Sequence, residues 1–387
     1  MKSRLDFEHQ TIDTTPFSLS WGDGDEPGYD AWGAVTVGDF DGDGRDEYAT
    51  GGRLAPEGGY YHIYDRSESG EWTRHELTVS FRPAVGAASA HLDSDGRPEI
   101  VCGEWGSRLF ALDASLGSPT FGSATVVYDG FENGPHDVLA ADIDGDGNEE
   151  IITRVKDHSL TVFNDPSLDG EWEPLTIARD LEGDGTAVGN LSAGPGLDIV
   201  TNQGWFENTD GTGTQWRRHP LVSEELDWDL ETRIAVGDVD HDGVDEVVIT
   251  ESELGANARL AVLSRTDEGP WDAEILVDSE EDRRAMHSLQ IADLDGDGRL
   301  EIFTGEMENG KTDGVDVRPQ WLTFQYRNGE WHRTVLLDDN VGTHCARVLD
   351  VDNDGRPDIV GKVWRANDVN AVDGLNHVDC LHNISAR

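Results

Sequence analysis

A nine-residue loop rich in carboxylates returns about every 50 residues along this 387-residue chain, and a period of that length confines the fold to a solenoid, a propeller or an array of like units. The loop reads D-x-D-x-D-G-x-x-[DE]. Its first copy is Asp39-Phe40-Asp41-Gly42-Asp43-Gly44-Arg45-Asp46-Glu47, and intact copies follow at 142–150, 238–246, 293–301 and 350–358. A sixth, 91–99, has His91 where the first acid belongs. A seventh, 190–198, keeps the frame and loses most of the carboxylates.

Carboxylates at positions one, three, five and nine can converge on one hard cation, with glycine at six for the sharp turn and a backbone carbonyl at seven as a further oxygen. Calcium takes such a flexible oxygen shell, whereas magnesium demands a smaller octahedron. The predicted ligands are Asp39, Asp41, Asp43 and Glu47; Asp93, Asp95 and Glu99; Asp142, Asp144, Asp146 and Glu150; Asp238, Asp240, Asp242 and Glu246; Asp293, Asp295, Asp297 and Glu301; and Asp350, Asp352, Asp354 and Asp358. That makes five to six Ca2+ sites, mainly structural, with none expected at 190–198. An EF-hand would carry its last acid at position twelve between two helices. Here it comes at nine and a β-branched run follows, as in Glu246-Val247-Val248-Ile249-Thr250. The loop therefore joins two strands.

A second signature repeats out of phase with the first. An aromatic residue with an aliphatic one five positions later occurs at Phe7/Ile12, Trp72/Leu77, Phe121/Val126, Trp172/Ile177, Trp216/Leu221, Trp271/Leu276 and Trp331/Leu336. Between the two signatures lies a further strand, at 60–64, 108–112, 159–163, 205–207, 259–263, 321–324 and 377–381. With the short apolar stretch before each loop, every unit has four strands. The expected fold is all-β, a seven-bladed β-propeller of four-stranded antiparallel blades. The chain starts on an aromatic strand and stops after the third strand of the last unit, so residues 1–13 should supply the outer strand that closes the last blade. One domain then spans 1–387.

The formal net charge is −50, from 79 acidic and 29 basic residues. Six Ca2+ would return part of it, leaving about −38. Only four of the basic residues are lysine, and 36% of the chain is hydrophobic, so this is a folded domain with an acidic surface. Such a surface is expected in a salt-loving organism, where screening makes self-repulsion tolerable. No basic stripe exists for nucleic acid. The three cysteines have no metal spacing and no disulfide framework. No apolar leader or membrane-length run is present, which predicts a cytoplasmic protein, or an extracellular one if processed.

The loops should lie on one face, and the residues entering each innermost strand on the other. Six positions before each loop stand Gly33, Val85, His136, Asp184, Thr232, His287 and His344. Three histidines in one register point to one axial mouth. The exits of the second strands bring Arg53, Glu104 and Trp105, then Arg154, Lys156 and His158, then Trp205, Glu251, Glu306, Lys362, Trp364 and Arg365 to the same level. Two of the four lysines, Lys156 and Lys362, fall in this ring. Trp105 and Trp364 share a register and can stack on a sugar face or pack between blades. The mixture suits an anionic or polyhydroxylated ligand, carbohydrate among them. If chemistry occurs there, proton abstraction next to a carbonyl or carboxylate fits, with His136 or His287 as base, His344 as partner acid and Arg154, Lys156 or Lys362 as charge neutraliser. No serine or cysteine nucleophile motif stands out, and strand alternation should turn Cys345 away from His344.

Nearly the whole chain resembles the FG-GAP or VCBS repeats of calcium-binding seven-bladed propellers, as in integrin α-subunits. The loop combined with a terminal aromatic strand, as in Trp216-Arg217-Arg218-His219-Pro220-Leu221, is similar to the propeller domain of aldos-2-ulose dehydratases and related polysaccharide lyases. That second resemblance implies a lyase or dehydratase working by β-elimination, with histidine as acid or base away from the calcium loops. Aldos-2-ulose dehydratases also carry cupin domains, and this chain stops at Arg387. A non-catalytic module binding glycan or protein, and a structural scaffold, stand beside the lyase as readings.

Overall fold

The structure, a computed structural model, describes residues 5–14, 34–53, 58–192, 194–221, 228–266, 271–307, 318–364 and 375–385. Within them 28 strands form seven antiparallel sheets of four. Blades 1 to 6 each take four consecutive strands, with the innermost at Val35–Gly38, Pro83–Ala90, Asp137–Ala141, Thr186–Gly189, Thr232–Gly237 and Met286–Ala292. Blade 7 is built from Cys345–Leu349, Asp358–Lys362 and Val378–Asn383, and its outer strand is Phe7–Asp13 from the other end of the chain. The seven-bladed all-β propeller is the architecture expected from the repeats.

The closing strand pairs in the register Phe7 to Asn383, His9 to Leu381 and Thr11 to Asp379. Buried Asp379 holds the two ends together: its Oδ1 accepts from Thr11 at 2.8 Å and lies 2.9 Å from His9 Nε2, and Oδ2 meets His377. Asp13 carries the link to blade 1, accepting from Tyr64 and Arg74.

Middle strands such as Glu246–Glu251 are buried along their whole length, while outer strands such as Trp72–Val79 keep much of one face in solvent. The apolar side chains sort into seven clusters, and each fills one gap between neighbouring blades. Tyr61 and Ile63 of blade 1 meet Ile100 and Phe110 of blade 2, for example, and Val248 and Leu260 of blade 5 meet Ile302 and Phe324 of blade 6. A blade is two-sided and cannot cover both faces alone, so burial of its apolar side chains requires both neighbours.

Candidate functional site

Each carboxylate loop joins the innermost strand to the second. The sixth-position glycines (Gly44, Gly96, Gly147, Gly243, Gly298 and Gly355) all take φ between +80° and +93°, where a side chain would be strained. In blade 1, Asp39 Oδ1 accepts from Gly42 N and Asp43 N, its Oδ2 accepts from Gly44 N, and Asp41 Oδ1 accepts from Asp43 N. Glu47 reaches back to Phe40 N at 2.7 Å, and its counterparts do the same in the other blades.

One carboxylate oxygen from each of Asp39, Asp41, Asp43 and Glu47 lies within 4.8 Å of the others, and trios from blades 3, 5 and 6 are gathered as closely. Asp238 Oδ1 and Asp352 Oδ1 are buried with no hydrogen-bond partner. Burial, with repulsion from neighbouring aspartates, pushes Glu47 up to about 8 and Glu99, Glu150, Glu246 and Glu301 to about 7. The donor set thus fits a hard cation, which would neutralise carboxylates that the fold crowds together. The loops are not equivalent. Arg327 and Gln325 already hold Asp295, and Arg66 meets Asp352 at 3.1 Å. In the loop at 190–198, Asp198 is satisfied by Leu191 N, Ser192 N and Asn208 N.

At the opposite end, a cavity of about 270 Å³ is lined by Trp105, His136, Lys156, His287, His344 and Trp364, with Val85, Glu231, Glu253 and Met307. It narrows into an axial channel of about 140 Å³ that His136 and His287 also line, together with Arg233, Gln290, Cys345 and Arg347. Ladder geometry explains the register. His136 N donates to Arg154 O and His344 N to Lys362 O, both at 2.7 Å, so each histidine is fixed at the strand entrance by its own blade.

His136 lies between two carboxylates, with Nδ1 2.9 Å from Asp137 Oδ1 and Nε2 3.2 Å from Asp184 Oδ2. Burial opposes charge on Asp137, but His136, Arg233 and Thr186 outweigh it and hold the carboxyl below the usual range. Asp184 also receives Thr232 N at 2.9 Å and Arg233 at 3.5 Å. Lys156 pairs with Glu231 and stands 3.6 Å from Asp184; burial would lower its pKa, yet these partners raise it.

His287 is buried and engaged through both ring nitrogens. Nδ1 faces the His344 carbonyl at 2.6 Å and so donates to it, while Arg233 Nη2 lies over the ring, 2.7 Å from Nε2 and 3.3 Å from Nδ1. Burial, then the Arg233 charge, lowers its pKa. Glu253 Oε1 lies 3.1 Å from the same Nε2. His344 stacks on His287 at 3.8 Å between ring centroids, with Trp364 at 6.4 Å on a similar plane. Trp105 is 47% exposed, and the Arg53 guanidinium lies 4.2 Å from its ring centroid.

The remaining predicted residues make contacts within the protein. Arg154 is fully buried and donates to the carbonyls of Val155, Glu182 and Gly183, fastening blade 3 to the chain entering blade 4. Glu104 clamps Arg108, Glu251 clamps Arg259 and Glu306 clamps Arg283. Trp205 packs inside blade 4 against His219. His158 pairs with Glu132 at 3.1 Å, and Lys362 is fully buried next to the channel wall. Arg365 and Gly33 lie outside the described residues.

One expectation is corrected. Cys345 does not turn away from His344: its Sγ is 3.1 Å from His344 Nδ1 and it lines the channel. His344 precedes the strand, which begins at Cys345, so simple alternation does not govern the pair. Sequence reading also missed Arg233, Glu231 and Glu253. Arg233 follows the register position Thr232, and a scan of the next position around the ring would have found it.

The family described as FG-GAP-like repeat matches residues 57–153 and 293–361. Those stretches include the loops of blades 2, 3, 6 and 7, so the chain carries FG-GAP-like repeats in a seven-bladed propeller. Comparison with curated proteins gives no match.

Proposed function

We propose that this propeller acts on carbohydrate as a lyase or dehydratase, taking a proton next to a carboxylate or carbonyl at the axial mouth, while the loops on the other face hold structural Ca2+. The observation that carries the reading is the single cavity containing His136, His287, His344, Lys156 and two tryptophans from four different blades. Trp105 and Trp364 offer ring faces for a sugar. Arg233 is the group that moves. On meeting a ligand carboxylate its guanidinium leaves the face of His287 and binds the anion, which removes a cation from beside the imidazole and favours its taking the α-proton at Nε2. Arg233 and Lys156 then face the enolate charge. His136, backed by Asp137 and Asp184, delivers a proton to the departing oxygen. The loop carboxylates, such as Asp39, Asp41, Asp43 and Glu47, would hold calcium, which would balance their charge away from these steps.

A second reading, a binding module without chemistry, draws on one observation: both nitrogens of His287 are engaged within the protein. One experiment separates the two. The purified protein, in calcium and molar salt, is mixed with a panel of uronate-containing glycans while absorbance is followed at about 235 nm, where an unsaturated uronate appears. Tryptophan fluorescence is titrated in parallel. A rising absorbance that is lost in His287→Ala and His136→Ala supports the lyase. Saturable fluorescence with a flat absorbance trace leaves binding alone, and silence in both channels refutes the uronate reading.

A further inference from the structure

Cys345 opens the innermost strand of blade 7 and lines the axial channel. Two imidazoles attend it. His344 Nδ1 lies 3.1 Å from Sγ, and one nitrogen of each of His344 and His287 lies within 4.8 Å of Sγ and of the other. The His344 ring is held in place by stacking on His287 at 3.8 Å. Three cations stand near the sulfur, Lys362, its ladder partner on the next strand, Arg347 on its own strand and Arg233 against His287, with one carboxylate, Glu253, 3.1 Å from His287 Nε2. From blade 1, Tyr48 donates its hydroxyl to the Cys345 carbonyl at 2.9 Å.

We propose that Cys345 is a nucleophilic thiolate with His344 as its proton partner, and that it is the site at which a small hydroperoxide modifies this protein from the axial channel. The thiolate sulfur attacks one peroxide oxygen and the O–O bond breaks. Its electron pair leaves on the other oxygen, which takes the proton from His344. Sulfur is oxidised to a sulfenic acid and the hydroperoxide is reduced to water or an alcohol, with no further reactant. The new oxygen lies at the channel wall beside the stacked His344 and His287 rings, so oxidation reaches the residues of the mouth. This inference does not depend on the sugar reading.

The other cysteines provide internal controls. Cys102 and Cys380 are buried. Burial pushes Cys102 up to about 12 and Cys380 well above its usual value. At Cys345 burial acts in the same direction, but the neighbouring His287, Lys362 and Arg347 overcome it and bring the thiol down to about 6.

The test is site-resolved alkylation of the full chain by iodoacetamide between about pH 5 and 9, in calcium and molar salt, read by peptide mass. The expected result is labelling of Cys345 that is half-maximal near pH 6, with Cys102 and Cys380 at least about 100-fold slower. Replacement of His344 by Asn should move that profile upward by at least about one pH unit. Equimolar hydrogen peroxide should give a dimedone adduct at Cys345 that Cys345→Ser abolishes. Labelling that rises only around pH 8 to 9, as for an ordinary thiol, would overturn the proposal. So would labelling of Cys345 only after unfolding, or an unchanged profile in a folded His344→Asn variant. The wild-type profile alone decides the matter if that variant does not fold.

Discussion

Arg154 and Lys156 stand two residues apart, and the structure uses their charges differently. Arg154 gives its guanidinium to three backbone carbonyls inside the protein, whereas Lys156 reaches the cavity and pairs with Glu231. Truncating Arg154 to Ala strands those buried acceptors, and the expected loss is about 2–4 kcal/mol of stability. Lys156→Met should cost about 1 kcal/mol or less, since its pair is partly solvated, and should weaken glycan binding instead. Urea melts and fluorescence titrations of the two variants check this. Equal loss of stability in both would place Lys156 in the framework. The tryptophans divide in the same manner. Trp205→Ala should cost about 3–5 kcal/mol from a packed site, and Trp105→Ala, at an exposed ring, should show its effect in ligand affinity. The three-histidine register was legible because a fixed strand period carries side chains to equivalent heights in every blade. The use made of Glu251 and Glu306 was not. Their arginines, Arg259 and Arg283, sit at unrelated sequence offsets, one after its carboxylate and one before it.

At the scale of elements, two pieces do work that their own strands cannot. The first is the loop. On the proposal that the loops bind calcium, chelation should lower the melting temperature by roughly 10 °C or more, because several crowded carboxylate sets would lose a counter-ion together. Asp144→Asn should take away part of that calcium response, and Ser192→Ala, in the loop where Asp198 is already satisfied, should leave it intact. Differential scanning calorimetry with and without a chelator reads both, and a melt indifferent to calcium would refute metal binding at the loops. The second piece is the closing strand. Asp379 is buried, which raises a carboxyl pKa, but His377, His9 and Thr11 prevail and hold it below the ordinary value. A depressed carboxyl contributes stability that is complete above the unfolded value of about 4 and is lost as pH falls through the folded one. Asp379→Asn should therefore melt well below wild type at pH 7, with the gap closing under about pH 4. A gap that stays constant across that range would mean that Asp379 acts through shape alone. Closure by residues 7–13 was readable because the two repeat signatures run out of phase at the chain ends. The pairing of Asp379 with His9 was not, since the partners lie 370 residues apart.

Across the whole molecule, the opposing terms are the seven apolar seams between blades and a net charge of −50. A closed ring has no terminal blade, so each seam is supported by the others, and repulsion that opens one loosens its neighbours. The repulsion is spread over the surface, and its range is set by salt: the screening length is about 10 Å at 0.1 M and about 3 Å at 1 M. With calcium saturating, the melting temperature is expected to climb by about 10 °C or more between 0.1 and 2 M NaCl, and KCl should match NaCl at equal ionic strength. Sulfate salts strengthen apolar burial by exclusion and should add to the effect at equal ionic strength. The two mechanisms separate in the concentration dependence, because screening is mostly complete by about 1 M whereas exclusion continues to grow. A curve already flat at about 0.3 M would show that bound calcium alone manages the charge, and the reading of this surface as an adaptation to high salt would fail. A continued rise, equal for the two chlorides, would identify self-repulsion of the acidic shell as the main term working against the seams.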